Sequence, residues 1–186
     1  MRVIGGEFRS RVLRAPDGMA TRPTSDRLRE TLFNVLAARI AGARFLDLYA
    51  GSGAVGIEAL SRGAAHVAFV ERAGPAVKML RANLARLGID SGFSIHAGTV
   101  GAFLAGPRSD ARPFDVAFLD PPYEAEEEYE KTLGLLGGEF CGFLAAGAVV
   151  VAEHRRNDEL EDQYGALKRT RLLRQGDAAL SFFERN

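Results

Sequence analysis

The 186-residue chain has no tryptophan, one cysteine and three histidines. A single thiol, Cys141, cannot close an internal disulfide, which fits a reducing compartment and a structural role for the cysteine. His66, His96 and His154 stand at spacings that offer no metal site. None has a catalytic partner close by in sequence, so all three read as structural. No apolar run approaches about 18 residues, so no membrane span is expected. The opening stretch MRVIGGEFRSRVLR is too polar for a signal peptide. Net charge is missing as well: 24 basic residues balance 24 acidic ones, with an isoelectric point near 6.9. That balance argues against a protein that coats nucleic acid by bulk charge, though a local basic patch can still bind it. The absences together describe a cytoplasmic protein without a metal, expected to be a monomer.

Hydrophobic residues make up 47% of the chain and charged ones 26%, ordinary values for a globular protein. A chain of 186 residues can bury a core without disulfides or metal. One domain over 1–186 is expected, with an N-terminal hairpin and helix in 1–44 and a sheet core in 45–186. RVIGGEFRSRVLRAP reads as two short strands turning at Gly5-Gly6. RPTSDRLRETLFNVLAARI carries a helical stripe of Leu28, Leu32, Val35, Leu36 and Ile40, capped by Thr24 or Ser25. Five apolar strands follow, RFLDLYA, HVAFVER, GFSIHAG, FDVAFLDPPY and AGAVVVAEH, separated by glycine turns and helices such as GPAVKMLRANLARLG. This alternation predicts an α/β fold with a doubly wound, Rossmann-like, mostly parallel sheet. LKRTRLLRQGDAALSFFER then reads as a hairpin turning at Gly176-Asp177, an antiparallel strand pair at the C-terminal end.

The stretch FLDLYAGSGAVGIEALSRG places Gly51, Gly53 and Gly56 in a G-x-G-x-x-G pattern between a strand and a helix. Such a turn offers backbone N–H groups and close approach to a nucleotide-like ligand. Glu71 ends the second strand 20 residues after Gly51, the spacing of an acid that takes ribose hydroxyls. Nicotinamide cofactors and S-adenosylmethionine both carry an adenosine, so Glu71 does not separate them. Asp47 leans toward the methyl donor. It can orient the loop's N–H groups or meet a cationic methionine end, whereas a pyrophosphate would be repelled by it.

Asp120-Pro121-Pro122-Tyr123 closes the fourth strand, at the edge where a doubly wound sheet binds its ligands. A bare strand end would also account for the prolines. The chemical reading accounts for every residue. An exocyclic nucleobase amine is a poor nucleophile, because its lone pair is drawn into the ring. Acceptors on its N–H groups, the Asp120 carboxylate and the Pro121 carbonyl, can turn that lone pair toward a methyl sulfonium. Tyr123 gives the base a face to stack on. Positioning and charge stabilisation then suffice, on a base that is unpaired or flipped out. A nicotinamide oxidoreductase, the alternative from a different class, would need a proton donor with a partner. A nucleic-acid binder that has lost catalysis is disfavoured by the intact Asp120 and Tyr123.

With loop and tetrapeptide in place, the chain resembles the class I S-adenosylmethionine-dependent methyltransferases, and more narrowly the bacterial RsmD family, which methylates N2 of a guanine in 16S ribosomal RNA. RVIGGEFRSRVL and RPTSDRLRETLFNVL carry the narrower resemblance, FLDLYAGSGAVGIEALSRGA, VAFVER and FDVAFLDPPY the broader one. The resemblance implies a donor pocket of Asp47, Gly51, Ser52 and Gly53, with Glu71 on the ribose and S-adenosylhomocysteine as product. It implies an amine site from Asp120 to Tyr123. Pro23 and Thr24 would close over the methionine end, and the substrate would be 16S rRNA in the small subunit or a precursor. Amino-methylation of another RNA, or of DNA, is the alternative with the same chemistry. Similar sequences carry an acid after the third strand against the adenine amine. Here that place holds Gly98 and Thr99, so the Thr99 hydroxyl or backbone would take over.

Charge is unevenly placed despite its zero sum. Arg9, Arg11, Arg14, Arg22 and Arg27 crowd the N-terminal end and form a candidate RNA-binding face, while EAEEEYE after the tetrapeptide reads as a solvated helix start.

Overall fold

Strands as apolar as HVAFVE and FDVAFL need cover on both faces, and the intervening helices supply it. The structure, a computed structural model, describes residues 1–15, 25–107, 112–122, 125 and 127–186. Eight strands form one sheet: β1 (Arg44–Leu48), β2 (His66–Glu71), β3 (Phe93–Ala97), β4 (Phe114–Leu119), β5 (Leu144–Arg155), β6 (Gln163–Tyr164), β7 (Leu167–Gln175) and β8 (Ala178–Arg185). Their order is β3-β2-β1-β4-β5-β8-β7-β6. The first five are parallel, and β8, β7 and β6 pair antiparallel. The fold is therefore the doubly wound one expected, with the antiparallel strands at one side.

Side chains alternate between two buried layers. Phe45, Phe69, Phe118 and Val151 pack on one face with α1 (Asp26–Val35), α3 (Ala54–Ser61) and α4 (Gly74–Leu87). Leu46, Val70, Leu119 and Ala152 pack on the other with α5 (Val100–Ala105) and α6 (Glu127–Gly137). Ser25 is the cap of α1, its Oγ accepting the Leu28 N–H at 3.1 Å. The expected single helix breaks at Leu36, and α2 (Ala37–Ile40) carries on as one short turn. The short α5 has no periodic signal in the sequence; the Thr99 side chain starts it by accepting from Ala102 N–H.

The N-terminal hairpin is narrower than two strands. It has one bridge, Arg2 with Val12, flanked by a bond from Val3 N–H to the Arg11 carbonyl and a turn through Gly6 at φ +75°. It is held by charge. Glu58 on α3 is fully buried and accepts the Ile4 N–H at 2.7 Å, the Gly5 N–H at 2.8 Å and the Arg62 Nε at 2.7 Å. Arg29 on α1, equally buried, lies 3.8 Å from the same carboxylate and donates to the Arg2 carbonyl and to Asp26. Breaking a buried charge network by removing one member costs about 3–5 kcal/mol. Glu58→Ala is expected to destabilise the fold by that amount in urea unfolding, and Glu58→Gln by less, because its carbonyl oxygen still accepts one of the two N–H groups.

Candidate active site

Chain direction places the ligand edge. From β1 the sheet grows through β2 and β3 to one side, and from β4 through β5 to the other, so a crevice opens between β1 and β4 at their carboxyl ends. The two strands are hydrogen-bonded neighbours with Leu48 opposite Leu119. Tyr49, Ala50 and Gly51 therefore leave the sheet beside Asp120 and Pro121.

The glycine loop is held from two sides. Glu71 accepts the Gly51 N–H on Oε2 at 2.8 Å and the Ala73 N–H on Oε1 at 2.7 Å. Each carboxylate oxygen keeps a second lone-pair direction, so the group that orients the loop can also accept from a diol. Gly51 has φ +55° and, among the described residues, nothing within 4 Å of where its Cβ would stand. The other two glycines serve packing rather than ligand approach. A Cβ at Gly53 would sit 2.2 Å from Leu80 Cδ1, and one at Gly56 would sit 2.3 Å from Phe69 Cε1 and 2.9 Å from Asp47 Oδ2. Asp47 itself is buried and accepts the Gly56 N–H at 2.8 Å. Of its two suggested roles, this geometry is the orienting one. The Ser52 carbonyl accepts from the buried Asn83 side chain at 3.0 Å, and Asn83 also exchanges hydrogen bonds with the backbone of Arg14. Asn83 thus ties the N-terminal ribbon to the loop. Inside RANLARLG it looks like any polar helix residue, and no sequence signal marks it.

On the acceptor side, Asp120 is half-exposed at the edge, Pro121 is buried, and the Pro122 carbonyl accepts the Ala125 N–H at 2.8 Å as the chain turns toward α6. Tyr123, Pro23, Thr24 and Arg22 lie outside the described residues. Gly98 donates its N–H to the Glu71 carbonyl, so the Gly98-Thr99 corner adjoins the ribose acid. Arg27 is exposed near the α1 cap, and Arg14 is held beside the loop by its backbone. Arg9 and Arg11 belong to the hairpin turn, whose Glu7 and Phe8 N–H groups bond to Ser61 at the C-terminal end of α3.

The family model described as conserved hypothetical protein 95 matches residues 1–184. Escherichia coli ribosomal RNA small subunit methyltransferase D is 41% identical over 153 residues, 82% of this chain and 74% of that protein. YlbH of Bacillus subtilis is 37% identical over 185 residues, 100% of this chain and 99% of that one. Among solved structures, yhhF from Escherichia coli superposes with a TM-score of 0.86 at 35% identity, covering 100% of this chain and 98% of that one. The chain belongs to the RsmD family of S-adenosylmethionine-dependent methyltransferases.

In this RsmD-family chain the loop is also joined to the helix behind the tetrapeptide. Tyr49 adopts φ +61°, which is uncommon for a residue with a side chain. Its hydroxyl donates to Glu128 Oε2 at 2.8 Å and lies 2.7 Å from Thr132 Oγ1, both on α6. That hydrogen bond holds the Glu128 carboxyl below the usual carboxylate range. Glu130 accepts from Tyr164 Oη at 2.5 Å. Two acids of the EAEEEYE run are therefore engaged in hydrogen bonds rather than merely solvated, which composition could not reveal. The histidines are internal contacts: His66 meets Ser94, His96 packs edge-on against Phe103, and His154 meets Ser181.

Burial pushes the Asp47 carboxyl from 3.8 up to about 7, reinforced by the Glu71 charge and opposed by the Gly56 hydrogen bond. Because folding raises this value, the contribution to stability is full below the unfolded value, near 4, and is lost as the pH rises through 7. Asp47→Asn keeps an oxygen for the Gly56 N–H and cannot ionise. Between about pH 5 and about pH 8 the variant is expected to gain about 3 kcal/mol relative to wild type, read from urea unfolding of both proteins at the two pH values.

Proposed function

We propose that the protein methylates the exocyclic N2 amine of a guanine in 16S rRNA, within the small ribosomal subunit or a precursor. The observation that carries this reading is the pairing of β1 with β4, which sets the loop of Gly51 beside Asp120 and Pro121. The residues present fit S-adenosylmethionine: no described residue stands where a Gly51 side chain would be, Glu71 has spare acceptor directions, and Ser52 and Gly53 are fixed behind the loop. When bound, this donor supplies a methyl group on a sulfonium and leaves as S-adenosylhomocysteine. Glu71 accepts from the ribose hydroxyls. The Thr99 oxygen accepts from Ala102 N–H and keeps a second lone-pair direction, so the hydroxyl can still accept from the adenine amine. Pro23 and Thr24 close over the methionine end.

Asp120 and the Pro121 carbonyl accept from the two N–H bonds of the guanine amine, while Tyr123 stacks on the base. As nitrogen gains its methyl group, both acceptors stabilise the positive charge that develops there, and the departing proton goes to the Asp120 carboxylate or to water. The RsmD relative in Escherichia coli, named for the small-subunit RNA, supports the substrate class. Neutral bulk charge leaves RNA to local arginines, and Arg9, Arg11, Arg14, Arg22 and Arg27 are the N-terminal candidates.

The test is methyl transfer to 16S rRNA and small subunits from a strain lacking the gene, with the modified nucleotide mapped. Asp120→Ala is expected to remove nearly all transfer with donor affinity retained. Tyr123→Ala is expected to cost about 1–3 kcal/mol, and Glu71→Ala to weaken donor binding in calorimetric titration. Near-normal turnover by Asp120→Ala at saturating RNA would refute the amine site. Replacing Arg9, Arg11 and Arg14 together with Ala is expected to raise the RNA dissociation constant and to flatten its salt dependence by up to about one phosphate for each arginine removed, with donor binding unchanged.

A further inference from the structure

A flipped base and a methyl donor give too few contacts to select one site in a large RNA, so the flanking backbone must be held near the carboxyl edge. We infer that the open edge of β7, with the turn after β5, forms a track for the RNA phosphodiester backbone beside the target base, an inference that rests on the methyl-transfer reading above.

Four observations carry it. First, β7 reads LKRTRLLRQ, with Lys168, Arg169, Arg171 and Arg174 and no acid. Second, only one of these cations is spent: Arg169 pairs with Asp162 and donates to the Leu160 carbonyl. Lys168, Arg171 and Arg174 are exposed and form no ion pair among the described residues. Third, the edge is open. β6 pairs only with Leu167 and Lys168, so from Thr170 to Gln175 the strand has β8 on one side and, among the described residues, no strand on the other. Fourth, β7 runs in the same direction as β5, since each is antiparallel to β8. Arg174 therefore reaches the same edge of the sheet as Asp120, three strand spacings away, about 14 Å.

A cleft of about 620 Å³ fills the intervening ground, between the cap of α1, the end of β5 and the β7–β8 turn. Arg27, Arg155 and Arg156 line it, and Arg156 is anchored to the Gly176 carbonyl at 3.3 Å. Carboxylates balance the cleft itself: Glu153, Asp158 and Asp177 line it too. The surplus positive charge lies on β7. RNA crossing the cleft from Asp120 would run onto that strand.

Charged residues on an edge strand can also serve only to prevent strand pairing between molecules. Arg171→Gln with Arg174→Gln, both at exposed positions, separates the two roles, using 16S rRNA and small subunits from the deletion strain as probes. We expect the dissociation constant to rise about tenfold at moderate salt. The slope of its logarithm against log salt should fall by about 1.4–1.8, the release from two phosphates. Methyl transfer at saturating RNA should stay at the wild-type rate. Wild-type affinity and slope in the double variant would overturn the track, and aggregation with unchanged RNA binding would assign the arginines to edge protection. Absence of transfer by the wild-type protein would instead refute the methyl-transfer reading, an outcome read in a separate assay.

Discussion

Backbone N–H groups at the end of β1 must be held in place without anything filling the space before them. Two carboxylates meet that constraint. Glu71 holds Gly51 from the neighbouring strand, and Asp47 holds Gly56 from beneath the helix start. The rest of the site follows from it. Asp47 must be buried to reach Gly56, so its carboxyl is pushed up by desolvation. Gly56 must lack a side chain because Phe69 and Asp47 occupy its Cβ position. Gly53 must lack one because Leu80 packs there, which fixes α4 against the loop. A motif usually read as ligand contact is here mostly a packing solution, with Gly51 left as the glycine whose Cβ position no described residue occupies.

Period and punctuation carried most of the fold. Five apolar strands, a Pro-Pro stop and the Gly176-Asp177 turn were enough to read a doubly wound sheet with an antiparallel end, because burial on both faces admits few other arrangements. The unread parts are those set by tertiary contact. Leu36 breaks a stripe that is periodic throughout. Asn83 is indistinguishable in sequence from a surface residue, yet it joins Arg14 to Ser52. Glu58 lies mid-helix in GIEAL with nothing to mark it as the anchor of residues 4 and 5. The site was legible at its chemical letters, Asp120, Glu71 and the glycines, but the motif could not say which glycine serves the ligand. Likewise the four cations of β7 were read as strand residues of a hairpin. Their meaning depends on β6 being too short to cover them, which is a matter of pairing rather than composition.

The buried pair of Arg29 and Glu58 gives the N-terminal segment its relation to the site. A hairpin with one bridge has little stability of its own. Bonding its N–H groups to a carboxylate inside α3 makes the segment part of the same rigid layer that presents the glycine loop. Asn83 joins it again at Arg14, so the ribbon is fastened at both ends of its length. Residues that precede the sheet by thirty positions are thereby fixed relative to Ser52, and Val3 and Leu13 seat the ribbon in the core as well.

Tyr49 shows how the two halves of the crevice stay in register. A left-handed backbone at a tyrosine costs roughly 1–2 kcal/mol, and such strain persists where surrounding contacts over-determine it. Here they do: the hydroxyl is fixed between Glu128 and Thr132, and Leu48 before it is locked between β2 and β4. The turn at Tyr49 sends the chain out toward Gly51 while its side chain reaches across to α6, the helix that follows Asp120-Pro121-Pro122. A displacement of α6 would pull on the residue two positions before Gly51. In-line transfer depends on distance and angle between two bound groups, and a hydrogen bond spanning the elements that hold them restrains both.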